Sequence, residues 1–351
     1  IRFDRSRVAG ECYFCLMQFQ LNLYPTPLVD SITYRDRLLL VGSCFTEHIG
    51  DSLAEWKFRT LQNSHGILFG PDAICDALDD IIRVRSYTES DLFYGQECWH
   101  SWHHHSRFSA TDPAVSLSKI NRSIGEAHDF LKQADWLILT LGSAFTYRLT
   151  EAAELGGMQV GESVANCHRA PSNWFTKEMM PTDQILTRLQ DTIQDLTRLN
   201  PKLKLILTIS PVRHIRDGAI ENNRSKARLI QVVQSLTEEL EHVHYFPAYE
   251  YVVDVLRDYR YYDIDLVHPN YAATQFVMDR FAEYAFDAQT RSLMEEIKPV
   301  RAARKHRPQH PDTQAHRQFL VAQYQKALHL QERLPELDFT DELAYFSDKL
   351  S

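Results

Sequence analysis

Three short apolar runs limit what this chain can fold into: LLLVG at residues 38–42, WLILTLG at 136–142 and LKLILTIS at 203–210. Each breaks off at glycine, serine or proline. Runs of this length without polar alternation are strands covered on both faces, as in parallel sheets. Helical spacing of apolar residues fills the intervals, over residues 46–57, 72–83 (opened by a proline), 119–134, 182–200 and 221–242. The alternation predicts an α/β doubly wound parallel sheet. HVHYFPAYEYV at 242–252 reads as a further strand leading into a helix, and residues 271–287 as the helix that closes the domain.

Composition removes several function classes. The chain has 351 residues, 44% hydrophobic and 24% charged, with a net charge of -9. It is an ordinary globular composition without the basic face that nucleic acid or an anionic membrane needs. The apolar runs fall far short of the roughly 20 residues that span a bilayer. The N-terminal stretch scatters charges through its length and lacks the apolar core of a secretory signal, so the expected compartment is the cytoplasm. Six cysteines in a chain this long do not make a disulfide framework. Cys12 and Cys15 form a CxxC with no second pair, a weak metal or redox signal. There is no GxGxxG or Walker loop, so no cofactor is expected, and no metal; a coenzyme A thioester stays open as an acyl donor.

The organisation reads as an N-terminal extension (1–23), a main domain (24–290) with a lid-like insertion around 86–118, and a C-terminal helical extension (291–351). One helix pattern stands out in the tail, at 313–334. The tail is expected to pack outside the core or on a partner subunit, making a homo-oligomer through these helices the partner reading.

Two stretches carry chemistry. In LLLVGSCFTEHIGDSL, residues 38–53, a strand ends on small residues and turns into a helix, which brings a side chain to the mouth of the sheet. In DIDLVHPN, Asp265 stands three residues before His268. There a carboxylate accepts a hydrogen bond from the imidazole, fixes its tautomer and leaves the other nitrogen as base toward a nucleophile. Alone the spacing is weak, since chance DxxH pairs are common.

Taken together, the two stretches resemble the first and last blocks of the SGNH or GDSL hydrolase superfamily. More narrowly the chain resembles the GSCFA family, whose motif here reads Gly42-Ser43-Cys44-Phe45-Thr46. NSHGILFGP, VANCHRAP, SPVRHIRDGAIENNRSK and LRDYRYYDIDLVHP extend the likeness over about residues 24–287. The resemblance implies a three-layer α/β/α, flavodoxin-like fold and an acyl-transfer or ester-hydrolysing activity. Carbohydrate O-acyl groups or similar small-molecule esters are the implied substrates. Aligned without a gap, Cys44 falls on the nucleophile's position and Ser43 on the aspartate's. A thiolate at a helix N-terminus is favoured by backbone N–H groups, and its thioester passes to water, an alcohol or an amine. The alternatives are Ser43 as nucleophile over a packed Cys44, an inert Cys44, and a degenerate domain that binds a glycan or protein without turnover.

The same resemblance implies an oxyanion hole made from the nucleophile's N–H, a glycine after the second strand and an asparagine after the third. Gly66 is the candidate glycine. LTLGSAFTYR has no asparagine, so Ser143, Asn63 or Asn166 is expected to supply the last donor. For substrate binding, SPVRH ends a strand on the ligand face, making Arg213 and His214 candidates. Arg213 either holds an anionic donor or sugar acid or pairs with a carboxylate. The histidines of WHSWHHHS, among them His104, read as a substrate-facing or solvated loop rather than a metal site.

Overall fold

The computed structural model describes residues 21–350, so Cys12 and Cys15 lie outside the described residues. Along the chain run β1 (Arg37–Gly42), α1 (Cys44–Glu55), β2 (Arg59–Gln62), α2 (Pro71–Arg83), β3 (Phe93–Gly95), β4 (Cys98–His100) and α3 (Pro113–Leu131). There follow β5 (Trp136–Leu141), β6 (Phe145–Leu149), β7 (Ser163–Val164), β8 (Phe175–Met179), α4 (Thr182–Leu199), β9 (Lys204–Ile209), α5 (Ala219–Glu239) and β10 (Val243–Phe246). A one-turn α6 (Ala248–Glu250), α7 (Tyr271–Ala285), α8 (Ala288–Lys305), α9 (Gln314–Arg333) and α10 (Thr340–Leu350) complete it.

The three apolar runs are the three central strands. The main sheet is five-stranded and parallel, in the order β10-β9-β5-β1-β2. Counting only its own strands, that is the flavodoxin-like order, and its switch point, where ligands bind in such folds, lies between β1 and β5. Period-two alternation sends successive residues to opposite faces. Leu38 and Leu40 join Phe45, Ile49, Leu53 and Phe281 on the α1/α7 side. Leu39 and Val41 join Ile74, Leu78, Leu189 and Val232 on the α2/α4/α5 side.

Two expectations need correction. The C-terminal segment holds three helices, and it does not sit outside the core. Met294, Ile297, Leu320, Leu330, Phe339 and Phe346 belong to the same buried cluster as Trp56, Phe58 and Phe286, because α1 and α7 leave an apolar outer surface that this segment covers. The WHSWHHHS stretch is largely interior rather than solvated, with Ser106 its exposed end. Trp102 is fully buried, stacked on Phe93 with ring centroids 3.6 Å apart, and its indole N–H donates to Glu154 O at 2.9 Å. The hairpin β3/β4 and the antiparallel sheet β7-β6-β8 build this upper layer. It springs from the carboxyl ends of the main strands: β6 follows β5 directly, and His105 N–H bonds His65 O beyond β2. Among the described residues no helix is long and apolar enough to cross a membrane.

Candidate active site

At the end of β1 the backbone is forced through a glycine. Gly42 has φ +147°, and a Cβ there would lie 2.4 Å from Thr140 O of the neighbouring strand. Its N–H donates to Asn63 Oδ1 at 3.0 Å and its carbonyl accepts from Leu68 N at 2.9 Å, so the turn is braced from both sides. Ser43 is the N-cap of α1. Its Oγ accepts from Phe45 N at 3.3 Å, and the residue is 1% exposed. Cys44 is therefore the first helical residue, half-buried, with no preceding turn to receive its own N–H. Burial is the largest influence on the thiol and pushes its pKa up, with Glu47 adding to this. The N–H groups of Phe45 and Cys44 and the charge of Lys226 oppose it without reversing it.

Asp265 and His268 form a tight pair on the loop before α7. His268 Nδ1 donates to Asp265 Oδ2 at 2.7 Å, while Asp265 Oδ1 accepts from the N–H of Val267 at 2.9 Å and of His268 at 3.1 Å. The His268 hydrogen bond first, then these backbone donors, pull the Asp265 carboxyl down to about 2. With Nδ1 committed, Nε2 is the free nitrogen. Leu266, between them, sits at φ +58°, a conformation costing a non-glycine residue roughly 1–2 kcal/mol. The loop is anchored to the exit of β9 by Arg213 N donating to Val267 O at 3.2 Å. Cys44 follows β1, and this loop is tied to the exit of β9, two strands along the same carboxyl edge of the sheet. No hydrogen bond joins Cys44 to His268 in this structure.

The expected oxyanion donors are mostly committed elsewhere. Gly66 N–H donates to Asn63 O at 2.7 Å, and a Cβ on Gly66 would strike His105. Asn63 is fully buried and braces Gly42, with Arg107 donating to its carbonyl. Asn166 lies in the upper layer, where its Oδ1 accepts from His168 N at 2.8 Å. Ser143 is buried, its Oγ accepting from Phe145 N at 3.1 Å, and the N–H groups of Gly142 and Ser143 both donate to Phe69 O.

Of the substrate-binding candidates, Arg213 lies over the rings of Tyr262 and Tyr259, at 4.4 and 5.1 Å, with no carboxylate paired to it among the described residues. His214 Nε2 donates to Gly142 O at 3.1 Å, and burial, then Lys226, push its pKa down. His104 is 1% exposed, bonded to Ser101 Oγ at 2.9 Å and stacked on His65, in the interior rather than on a cleft wall. Two open depressions, of about 380 and 550 Å³, are lined by Asp72, Arg148 and Arg188 and by Asp254, Arg257 and Tyr261; neither includes Cys44 or His268.

Lys226 on α5 was not foreseen. It is 1% exposed, and its Nζ donates to Gly142 O and Ser210 O, each at 2.6 Å. The available signal was its place on the apolar stripe of α5, with Leu229, Val233 and Leu236.

A doubly wound α/β protein with a cysteine at the switch point and an Asp–His pair on the same edge is thus defined. The sequence matches the GSCFA family over residues 37–281 and the GSCFA domain protein, C-terminal domain, over residues 297–351. The chain belongs to the GSCFA family. No curated protein matches it. Among solved structures it is similar to a Streptococcus pneumonia protein assigned as a platelet activating factor, with 15% identity, covering 72% of this chain and 84% of that one, at a TM-score of 0.37. It is also similar to a Clostridium thermocellum family 3 carbohydrate esterase, with 12% identity, 74% and 97% coverage and a TM-score of 0.31. A third is an acetyl xylan esterase from Butyrivibrio proteoclasticus, with 13% identity, 62% and 56% coverage and a TM-score of 0.31.

Proposed function

We propose that this chain is an SGNH-type acyl-transfer or ester-hydrolysing enzyme in which Cys44 attacks, His268 is base and then acid, and Asp265 orients His268. His268 Nε2 takes the thiol proton, and the thiolate adds to the acyl carbonyl with the Cys44 N–H aimed at the oxyanion. Collapse expels the alcohol, protonated by His268, and leaves a thioester. Water, an alcohol or an amine, activated by the same imidazole, then accepts the acyl group and regenerates the thiol. The observation that carries the reading is the oriented Asp265–His268 pair, at 2.7 Å, on the same sheet edge as a cysteine presented at a helix N-terminus.

Family resemblance favours an O-acyl carbohydrate or a similar small ester as substrate, and the unpaired Arg213 suits an anionic group on donor or acceptor. Among the described residues the four cysteines are free, which fits a reducing compartment, the cytoplasm. The alternative in which Ser43 attacks is disfavoured, because its hydroxyl is buried and engaged as a helix cap. Turnover of an activated acetyl ester and of acetylated oligosaccharides tests the proposal. Cys44→Ala and His268→Ala each lower it at least about 100-fold with thermal stability unchanged. Undiminished turnover in Cys44→Ala would leave a serine esterase in its place, undiminished turnover in His268→Ala would remove the mechanism, and no turnover by wild type would leave a non-catalytic binding domain.

A further inference from the structure

An ammonium removed from water needs compensating charge, since the effective penalty is several kcal/mol per ion. Lys226 is 1% exposed, yet among the described residues no carboxylate pairs with it. Its donors go to two carbonyls, Gly142 O at the exit of β5 and Ser210 O at the exit of β9, each at 2.6 Å, the short end of charge-assisted bonds. An ammonium has three donors, so one is left over. The groups facing it are few. His214 shares the Gly142 carbonyl at 3.1 Å and the Tyr249 ring lies at 5.8 Å. Gly142 leaves β5 beside the exit of β1, where Ser43 N–H donates to Thr140 O at 3.3 Å, so the strand that anchors the ammonium adjoins the turn that carries Cys44.

We propose that Lys226 is a positioning residue for the reaction at Cys44: its buried ammonium, fixed by the Gly142 and Ser210 carbonyls, is the counter-charge of the Cys44 thiolate. The inference deepens the proposed function and rests on Cys44 being its nucleophile. When His268 takes the thiol proton, sulfur becomes negative beside a fixed positive charge, and neither is left alone in the interior. When the thioester forms, sulfur loses that charge and the ammonium stands uncompensated. Expulsion of thiolate in the second half-reaction restores the pair, so the same lysine favours attack and release.

The test is the pH profile of Cys44 alkylation by iodoacetamide, mapped by peptide digestion, in wild type, Lys226→Met and Lys226→Gln, with melting temperatures measured alongside. The glutamine keeps two N–H donors on a slightly shorter side chain and removes the charge. Loss of the charge moves the profile about one pH unit upward, so alkylation at pH 7 slows about tenfold in both variants. A glutamine profile coincident with wild type would reduce Lys226 to a strut between strand exits.

A second measurement uses wild type alone and does not depend on either variant folding. The ¹³Cε titration of the lysine, which burial pulls down to about 7, lies higher when Cys44 is carboxymethylated with iodoacetate than when it is carbamidomethylated, because only the first adduct places a negative charge beside the ammonium. An unmoved titration overturns the pairing. A shifted alkylation profile with no acylation of Cys44 keeps the pairing and removes the proposed function; acylation without the shift does the reverse.

Discussion

The turn Gly42-Ser43-Cys44 divides its labour residue by residue. Glycine permits φ +147° against Thr140, serine caps α1, and the half-buried cysteine takes the first helical position that the cap creates. Ser43→Ala is accordingly expected to cost about 1 kcal/mol of stability, the usual worth of an N-cap, and to leave acylation of Cys44 in place. Chemical denaturation and adduct mapping check the two halves, and acyl transfer lost with Ser43 would restore the serine mechanism. The pair of motifs GSCF and DxxH was readable because each is local. The contacts of Asn63 and Lys226 are not legible in the sequence, because they join residues far apart along it, Asn63 with Gly42 and Lys226 with Gly142 and Ser210.

At the level of elements, the C-terminal helices are tied to the sheet layer by a buried charge as well as by apolar contact. Glu342 on α10 is fully buried and accepts from Lys57 Nζ at 2.6 Å and from the guanidinium of Arg301, with Arg304 at 3.4 Å. Burial would raise its carboxyl, but the bonds from Lys57 and Arg301 outweigh burial and hold it below the usual range. A depressed folded pKa means stability that is complete above the unfolded value, near 4.5, and lost as pH falls through the folded one. Glu342→Ala should destabilise by about 3 kcal/mol at pH 7, since it removes the buried partner of three half-buried cations. Its deficit should shrink as pH falls from the unfolded value through the lower folded one, where wild type loses the same carboxylate. A denaturation series across pH measures both. The main strands and most helices were legible because long apolar periods declare themselves: α4 and α9 occupy residues 182–199 and 314–333, close to the 182–200 and 313–334 that spacing predicts. The β7-β6-β8 sheet was not, since strands of two to five residues with mixed burial leave no period to read.

For the whole molecule, one sheet serves two coverings. The α2/α4/α5 face closes in the familiar way, while the α1/α7 face is closed by the C-terminal segment, whose Phe339 and Phe346 are fully buried against it. A chain ending at residue 287 would expose that face and is expected to aggregate or lose cooperative unfolding, which size-exclusion chromatography and thermal melts would register. A stable monomeric product would show instead that the segment is an accessory. The upper layer rises from the same carboxyl edge that holds Cys44, so the proposed chemistry would take place where the sheet, the insertion and the Asp265–His268 loop meet. The most direct measurement is intact mass spectrometry after exposure to a reactive short-chain acyl ester, with the adduct located by peptide digestion. The mechanism predicts one acyl group on Cys44, formed far more slowly in His268→Ala; an adduct on Ser43, or Cys44 acylated equally fast without His268, would contradict it.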